Sequence, residues 1–299
     1  MHLFGSTKRD LIKINIAGES FTVREIEALL AYDCDVVLFA TPSEVSSQWI
    51  PALLRGKSNV IVIDGSSAFR SDSTVPLVIP EINIDHLKKH NRIIASPNCT
   101  TTLALMALAP LHKAFMLKSF EVCSYQAASG AGKKGLEELE QQCCSWADKK
   151  PFNPSVFPRN LLFNAIPQIG SFDSLGNSEE ERKVISESRK ILSLSNLPVF
   201  ATCVRIPTLT CHSLAVTASF ESNFSLEEVK KQLQRAAGLK FYDDTYPDVY
   251  DALDNSFCHV GRLRTNPIHE NTLSCWVVGN QILKGSATNM RQILECLYR

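Results

Sequence analysis

The sequence predicts an α/β protein built on a parallel sheet, and three observations carry that prediction. Residues 35–40 and 60–63 are continuous apolar runs, the pattern of parallel strands buried on both faces, with a helix expected between them over 44–55. Each run ends in a polar turn: Thr41-Pro42-Ser43 after the first, and residues 64–70, ending in Arg70, after the second. A third run, 92–95, ends at Ser96-Pro97-Asn98-Cys99, where a long apolar helix begins. Ligands of parallel sheets sit at the carboxyl ends of strands, so the three turns mark one edge where a site belongs.

The other elements follow in order. Residues 12–16 and 19–23 read as strands about the Ala17-Gly18 turn, and 25–30 as a short helix. Gly5-Ser6-Thr7-Lys8-Arg9 is a small basic turn, suited to a phosphate or to a solvated terminus. Pro97 biases Ser96 away from helical geometry, and Asn98 is a good N-cap for the helix formers after it. Residues 119–125 form a strand that runs into Gln126-Ala127-Ala128-Ser129-Gly130-Ala131-Gly132, small residues that let a backbone approach a ligand closely. A charged helix is expected over 135–150, a loop over 151–158 and an extended segment over 163–168. Ser178 caps a helix over 179–192 whose Glu180, Lys183 and Glu187 share one face, read as a solvated charged face. Residues 200–206 and 213–220 alternate as strands, 226–237 is a helix, 270–278 a strand, and Lys284 to Asn289 opens a final helix.

Composition narrows the function classes. The 299 residues carry zero formal net charge and no basic patch, which argues against nucleic acid as a partner. No apolar run reaches membrane-spanning length, and no leader pattern opens the chain. Ten cysteines without a secretory leader point to reduced thiols and a cytoplasmic protein. The cysteines lack metal-ligand spacing, so no metal is expected.

Cys99 is the candidate nucleophile. At the first turn of a helix it meets unpaired backbone N–H groups with partial positive charge, which is expected to lower the thiol pKa. The same N–H groups can hold an oxyanion on an attacked carbonyl. The competing reading is a small buried hydrophobe.

With Cys99, Gln126, Arg205 and His212 in place, the chain resembles aspartate-semialdehyde dehydrogenase. The matching stretches are residues 76–83, 96–100, 125–132, 163–169, 203–207, His212-Ser213, 260–262, and Lys284-Gly285 with Asn289. The resemblance implies a partial Rossmann-type, parallel-sheet NADP-binding domain (1–98 and 284–299) and an α+β catalytic and dimerisation domain (99–283). It implies NADPH-dependent reduction of L-aspartyl-4-phosphate to aspartate semialdehyde and phosphate, on the branch to lysine, diaminopimelate, threonine and methionine. Cys99 would be the nucleophile, His212 the acid/base, and Gln126 the residue that orients the acyl group. Arg205 would bind the α-carboxylate and Glu180 the amino group, Arg70 and Lys183 the phosphate, and Asn98 would support the thiolate. Ser6, Thr7, Lys8, Thr41, Ser43, Ser129, Gly130 and Asn289 would contact NADP, and a homodimer is expected.

The pattern departs from the family at the start, where a strand and a glycine-rich pyrophosphate turn are expected and the sequence shows neither. Weak NADPH binding by these 299 residues alone follows as an expectation. Three rivals stand beside this reading: a cofactor-deficient, non-catalytic homologue, a cysteine acyl hydrolase, and glyceraldehyde-3-phosphate dehydrogenase. The last also places Cys-Thr-Thr at a helix start, but the Gln126 stretch and the Glu180/Lys183 helix speak against it.

Overall fold

The structure, a computed structural model, describes residues 1–5 and 12–298. Its first sheet holds β1 (Leu3–Gly5), β2 (Lys13–Ile16) and β3 (Glu19–Glu25) in the order β1-β3-β2, followed by a 3-10 turn over Ile26–Ala31. Next comes the expected βαβ rhythm: β4 (Val36–Phe39), α1 (Ser43–Gly56) and β5 (Ile61–Asp64). A short α2 (Pro80–Asn83) then precedes β6 (Ile93–Ala95). Strands β4, β5 and β6 pair in parallel in that order. Among the described residues β4 is an edge of this sheet, which corrects one expectation. Leu38 is 47% exposed, so only the Phe39 side of the apolar run is fully covered.

The larger half is organised by α3 (Cys99–Phe115), an almost wholly buried helix. Then come β7 (Leu117–Gln126), α4 (Gly132–Ala147), α5 (Glu179–Leu192), β8 (Val199–Arg205) and β9 (His212–Phe220). The chain ends with α6 (Leu226–Arg235), β10 (Leu239–Phe241), α7 (Val249–Ala252), β11 (Cys258–Thr265), β12 (Thr272–Gly279) and α8 (Thr288–Leu297). A six-stranded sheet runs β10-β11-β12-β9-β7-β8, with β7 and β8 parallel and β9 antiparallel to β7. The sequence reading omits α2, β10 and α7, each of three or four residues, and β11, whose register shifts between Gly261 and Arg264.

Alternation explains the sheet. Leu214, Val216, Ala218 and Phe220 of β9 point into the core, whereas Thr217 and Ser219 pair with Ser274 and Thr272 of β12 through hydroxyl bonds of 2.8 Å. Leu103, Leu105, Leu108 and Leu111 of α3 fill the space above it, each contributing about 1.5–3 kcal/mol by burial. That packing fixes the α3 axis and so places its first residue, Cys99.

Candidate active site

Three strand ends converge. Gln126 closes β7 and pairs in register with Arg205 at the end of parallel β8. His212 opens β9, and because β9 runs antiparallel, Ser213 lies opposite Tyr125 and brings the imidazole to the same sheet edge. Cys211, one residue earlier, takes a left-handed φ of 68°, a strained turn of the kind that holds functional side chains. The 127–131 segment is tied to the 207–211 connection by Ala128 N–H to Thr208 O (2.8 Å) and Ser129 N–H to Leu209 O (3.1 Å).

The N-terminus of α3 faces this edge. Asn98 caps it as expected, its Oδ1 accepting the Thr101 N–H at 3.1 Å. From the other side comes α5, opened by a Ser178/Glu181 capping box. Its 180/183/187 face is not solvated. Glu180 and Glu187 are buried and only Lys183 keeps partial exposure, with an ion pair to Glu179 at 2.6 Å. Burial of the two carboxylates follows from their donors. Glu180 Oε1 accepts from Asn98 Nδ2 (2.9 Å), Gln126 Nε2 (3.0 Å) and Thr100 Oγ1 (3.4 Å). Glu187 accepts from the Asn98 backbone and from Arg70.

These groups share one cavity of about 400 Å³. Cys99, His212, Gln126, Arg70, Asn98, Glu180, Lys183 and Arg205 all line it, with Gly130 at its rim. Every expected catalytic and substrate residue is therefore brought together. Of the expected cofactor residues, Ser6, Thr7 and Lys8 lie outside the described residues. Thr41 Oγ1 bonds Ser46 Oγ, and Ser43 Oγ bonds Ser67 Oγ, each at 2.9 Å, at the carboxyl ends of β4 and β5. Ser129 is buried and accepts from Gln281 Nε2. A Cβ at residue 130 would lie 2.5 Å from Arg205 Nη1 and 3.2 Å from His212 Nε2, so only glycine leaves the cavity rim open. Asn289 is fully buried, its amide donating to Val78 O and Ser96 Oγ at 2.9 Å and accepting from Lys284, so its hydrogen bonds are spent inside the protein.

Electrostatics overturn one sequence expectation. The Cys99 thiol, hemmed in by protein though partly open to the cavity, is pushed up to about 12 by burial and then by the Glu180 carboxylate; Arg205 and Arg70 oppose this without prevailing. The N-terminus of α3 favours the thiolate by up to about 2 kcal/mol in a partly buried setting, and burial together with the Glu180 carboxylate outweighs it. His212 is pushed down to about 3 by burial and by Arg205. It rests neutral, and Nδ1 accepts the Ala127 N–H at 3.2 Å, which assigns the proton to Nε2. Arg205 Nη1 donates to Ala127 O at 2.6 Å.

The sequence reading misses three contributors. Thr100 bridges Gln126 and Glu180. Gly285, in a π-turn over Leu283–Ala287, backs the nucleophile so closely that a Cβ there would lie 2.7 Å from Cys99 Cβ. Glu187 was legible only as the third member of an i, i+3, i+7 row. Beneath Gly285, buried Lys284 pairs with Glu81 at 2.6 Å. Among the described residues no group of His, Cys, Asp or Glu is arranged to hold a metal.

Two family models match successive parts of the chain. Residues 3–90 match the family model described as semialdehyde dehydrogenase, NAD binding domain, and residues 108–284 that described as semialdehyde dehydrogenase, dimerisation domain. The aspartate-semialdehyde dehydrogenase of Aquifex aeolicus is 37% identical over 305 aligned residues, covering 99% of this chain and 89% of that protein. The Bacillus subtilis enzyme is 38% identical, covering 98% and 88%. A crystal structure of aspartate semialdehyde dehydrogenase II from Vibrio cholerae, complexed with ASA, superposes with a TM-score of 0.95 at 33% identity, covering 100% of this chain and 89% of that one.

Proposed function

The chain belongs to the aspartate-semialdehyde dehydrogenase family, and from that premise we propose that it reduces L-aspartyl-4-phosphate to L-aspartate 4-semialdehyde and phosphate with NADPH, through a thioester on Cys99. This step serves lysine, diaminopimelate, threonine and methionine synthesis in the cytoplasm. The observation that carries the reading is the cavity in which a thiol, an imidazole, two guanidinium groups, an ammonium and two carboxylates converge.

Arg205 takes the α-carboxylate with its planar fork. Glu180 takes the amino group; among the described residues its Oε1 holds protein donors while Oε2 accepts none. Arg70 and Lys183 take the phosphate. Gln126, its amide held by Glu180, orients the acyl group. Cys99 then displaces phosphate and forms the thioester. His212 carries protons. With Nδ1 accepting from Ala127 it presents Nε2–H to an oxygen that gains negative charge, and accepting the thiol proton requires the other tautomer, with that contact released.

Thr41 and Ser43 at the carboxyl edge of the parallel sheet, with Gly130 at the cavity and Ser129 buried behind it on Gln281, fit a dinucleotide: hydroxyls at strand ends and a glycine where a side chain would close the rim. Asn289 supports that edge from beneath by holding Ser96. When bound, the nicotinamide supplies the hydride that reduces the thioester. The domain division proposed is 1–98 with 284–299 around the cofactor and 99–283 around the substrate, with the chain pairing as a homodimer through the second.

The test is NADP reduction with aspartate semialdehyde and inorganic phosphate. Turnover that requires phosphate, with no turnover of glyceraldehyde 3-phosphate, supports this reading. Thioester hydrolysis indifferent to NADP would replace it with a hydrolase.

A further inference from the structure

We infer that Glu187 is a positioning residue, one carboxylate that holds both the phosphate-site arginine and the N-cap of the helix bearing Cys99; the inference rests on the reading of Arg70 as a phosphate ligand. Glu187 is 4% exposed. Its Oε2 accepts the Asn98 backbone N–H at 2.6 Å, and its Oε1 accepts Arg70 Nη1 at 3.0 Å. Both bonds are charge-assisted, and neither donor lies near Glu187 in sequence.

The two grips converge on the reacting centre. Asn98 precedes Cys99, so two carboxylates of α5 hold the residue before the nucleophile: Glu180 by its side chain and Glu187 by its main chain. On the other side Arg70 Nη2 donates to Gly65 O at 2.7 Å, while Nε is buried and has no partner among the described residues. Lys190, also on α5, donates to the backbone carbonyls of Arg70 and Asp72 at 2.8 and 2.6 Å. The arginine turn and the helix N-terminus are thus mounted on one helix, with Lys183 between the two carboxylates along its face.

Arg70 consequently shares its charge with Glu187, and an incoming phosphate competes with that carboxylate. Removing the charge has two effects of opposite sign. Arg70 becomes a stronger anion site, and the main-chain anchor of the N-cap beside Cys99 weakens from a charge-assisted to a neutral hydrogen bond. A residue that merely stabilised the fold would weaken every ligand together.

The experiment is steady-state kinetics of phosphate-dependent semialdehyde oxidation in Glu187→Gln, Glu187→Asp and Arg70→Lys, with calorimetric titration of inorganic phosphate as a readout without turnover. Glu187→Gln is expected to lower the phosphate KM and Kd by about threefold or more, because the competing charge is gone. It is expected to lower kcat by about tenfold or more, because Cys99 is misplaced. The semialdehyde KM, set by Arg205 and Glu180, should stay within about twofold. Glu187→Asp keeps the charge but lacks a methylene of reach. Its phosphate KM should return to the parental value while kcat stays low, and it carries the test alone if Glu187→Gln does not fold. Phosphate and semialdehyde KM rising together in Glu187→Gln, or kcat unchanged in both Glu187 variants, overturns the inference. If Arg70→Lys leaves phosphate binding unchanged, the reading of Arg70 fails and the inference with it. If Arg70→Lys weakens phosphate and the Glu187 variants behave as the parent, the inference alone fails.

Discussion

Glu180 Oε1 accepts the Gln126 amide at 3.0 Å and so joins the second residue of α5 to the last residue of β7. The same carboxylate raises the Cys99 thiol pKa and faces the cavity in which the substrate amino group is placed. Glu180→Gln should therefore separate two properties. The semialdehyde KM should rise about tenfold, the scale of one hydrogen bond to a charged group. Alkylation of Cys99 should accelerate, because a neighbouring negative charge is removed. Iodoacetamide kinetics with peptide mapping check the second effect, and a slower Cys99 would count against it.

Cys99 itself should alkylate slowly at neutral pH and quicken only in strongly alkaline buffer, its pKa being raised to about 12. The exposed Cys143 and Cys144 provide the internal comparison in the same digest. The linked stability has a definite sign. The folded thiol pKa lies above its unfolded value of about 8.5, so the contribution is fully present below pH 8.5 and is lost as pH rises toward 12. Cys99→Ala should flatten that alkaline loss in denaturant titrations.

His212 has the opposite sign. Its folded pKa of about 3 lies below the unfolded value of about 6.5, so stability is present above pH 6.5 and declines as pH falls from 6.5 toward 3. His212→Gln should lose about 10²–10⁴ in kcat, the usual worth of positioned proton transfer, and should show a shallower acid decline in stability. A variant with parental kcat would remove His212 from the chemistry.

Gly285→Ala adds a methyl carbon 2.7 Å from Cys99 Cβ, a contact that real Cβ atoms do not make, so the nucleophile or the π-turn must shift. A displacement of about 1 Å at a reacting group can cost about a hundredfold, so kcat should fall by roughly that factor. Thermal melting, measured alongside, should move much less than activity. Equal activity would mean that the turn yields freely.

Much of this site was legible in the sequence because its parts depend on local rules. Pro97 and Asn98 set the start of α3, the alternation of β9 places His212 at a strand end, and Ser178 caps α5. What was not legible depends on tertiary burial. The 180/183/187 row has the spacing of a solvated face, and only the docking of α5 against Asn98 and Arg70 turns it inward. The direction of the thiol shift depends on the same thing: a helix N-terminus is visible in sequence, whereas the burial of Cys99 and its closeness to Glu180 are not. Leu38 reads as core, and among the described residues nothing covers its face of β4 fully.

The central claim is that Cys99 carries the acyl group, and phosphate-dependent NADP reduction by aspartate semialdehyde in Cys99→Ser tests it most directly. Serine keeps the shape of the site and replaces the sulfur by a poorer nucleophile, so the rate should drop by about 10³-fold or more while the variant melts as the parent does. A Cys99→Ser enzyme that turns over within a few-fold of the parental rate contradicts the account.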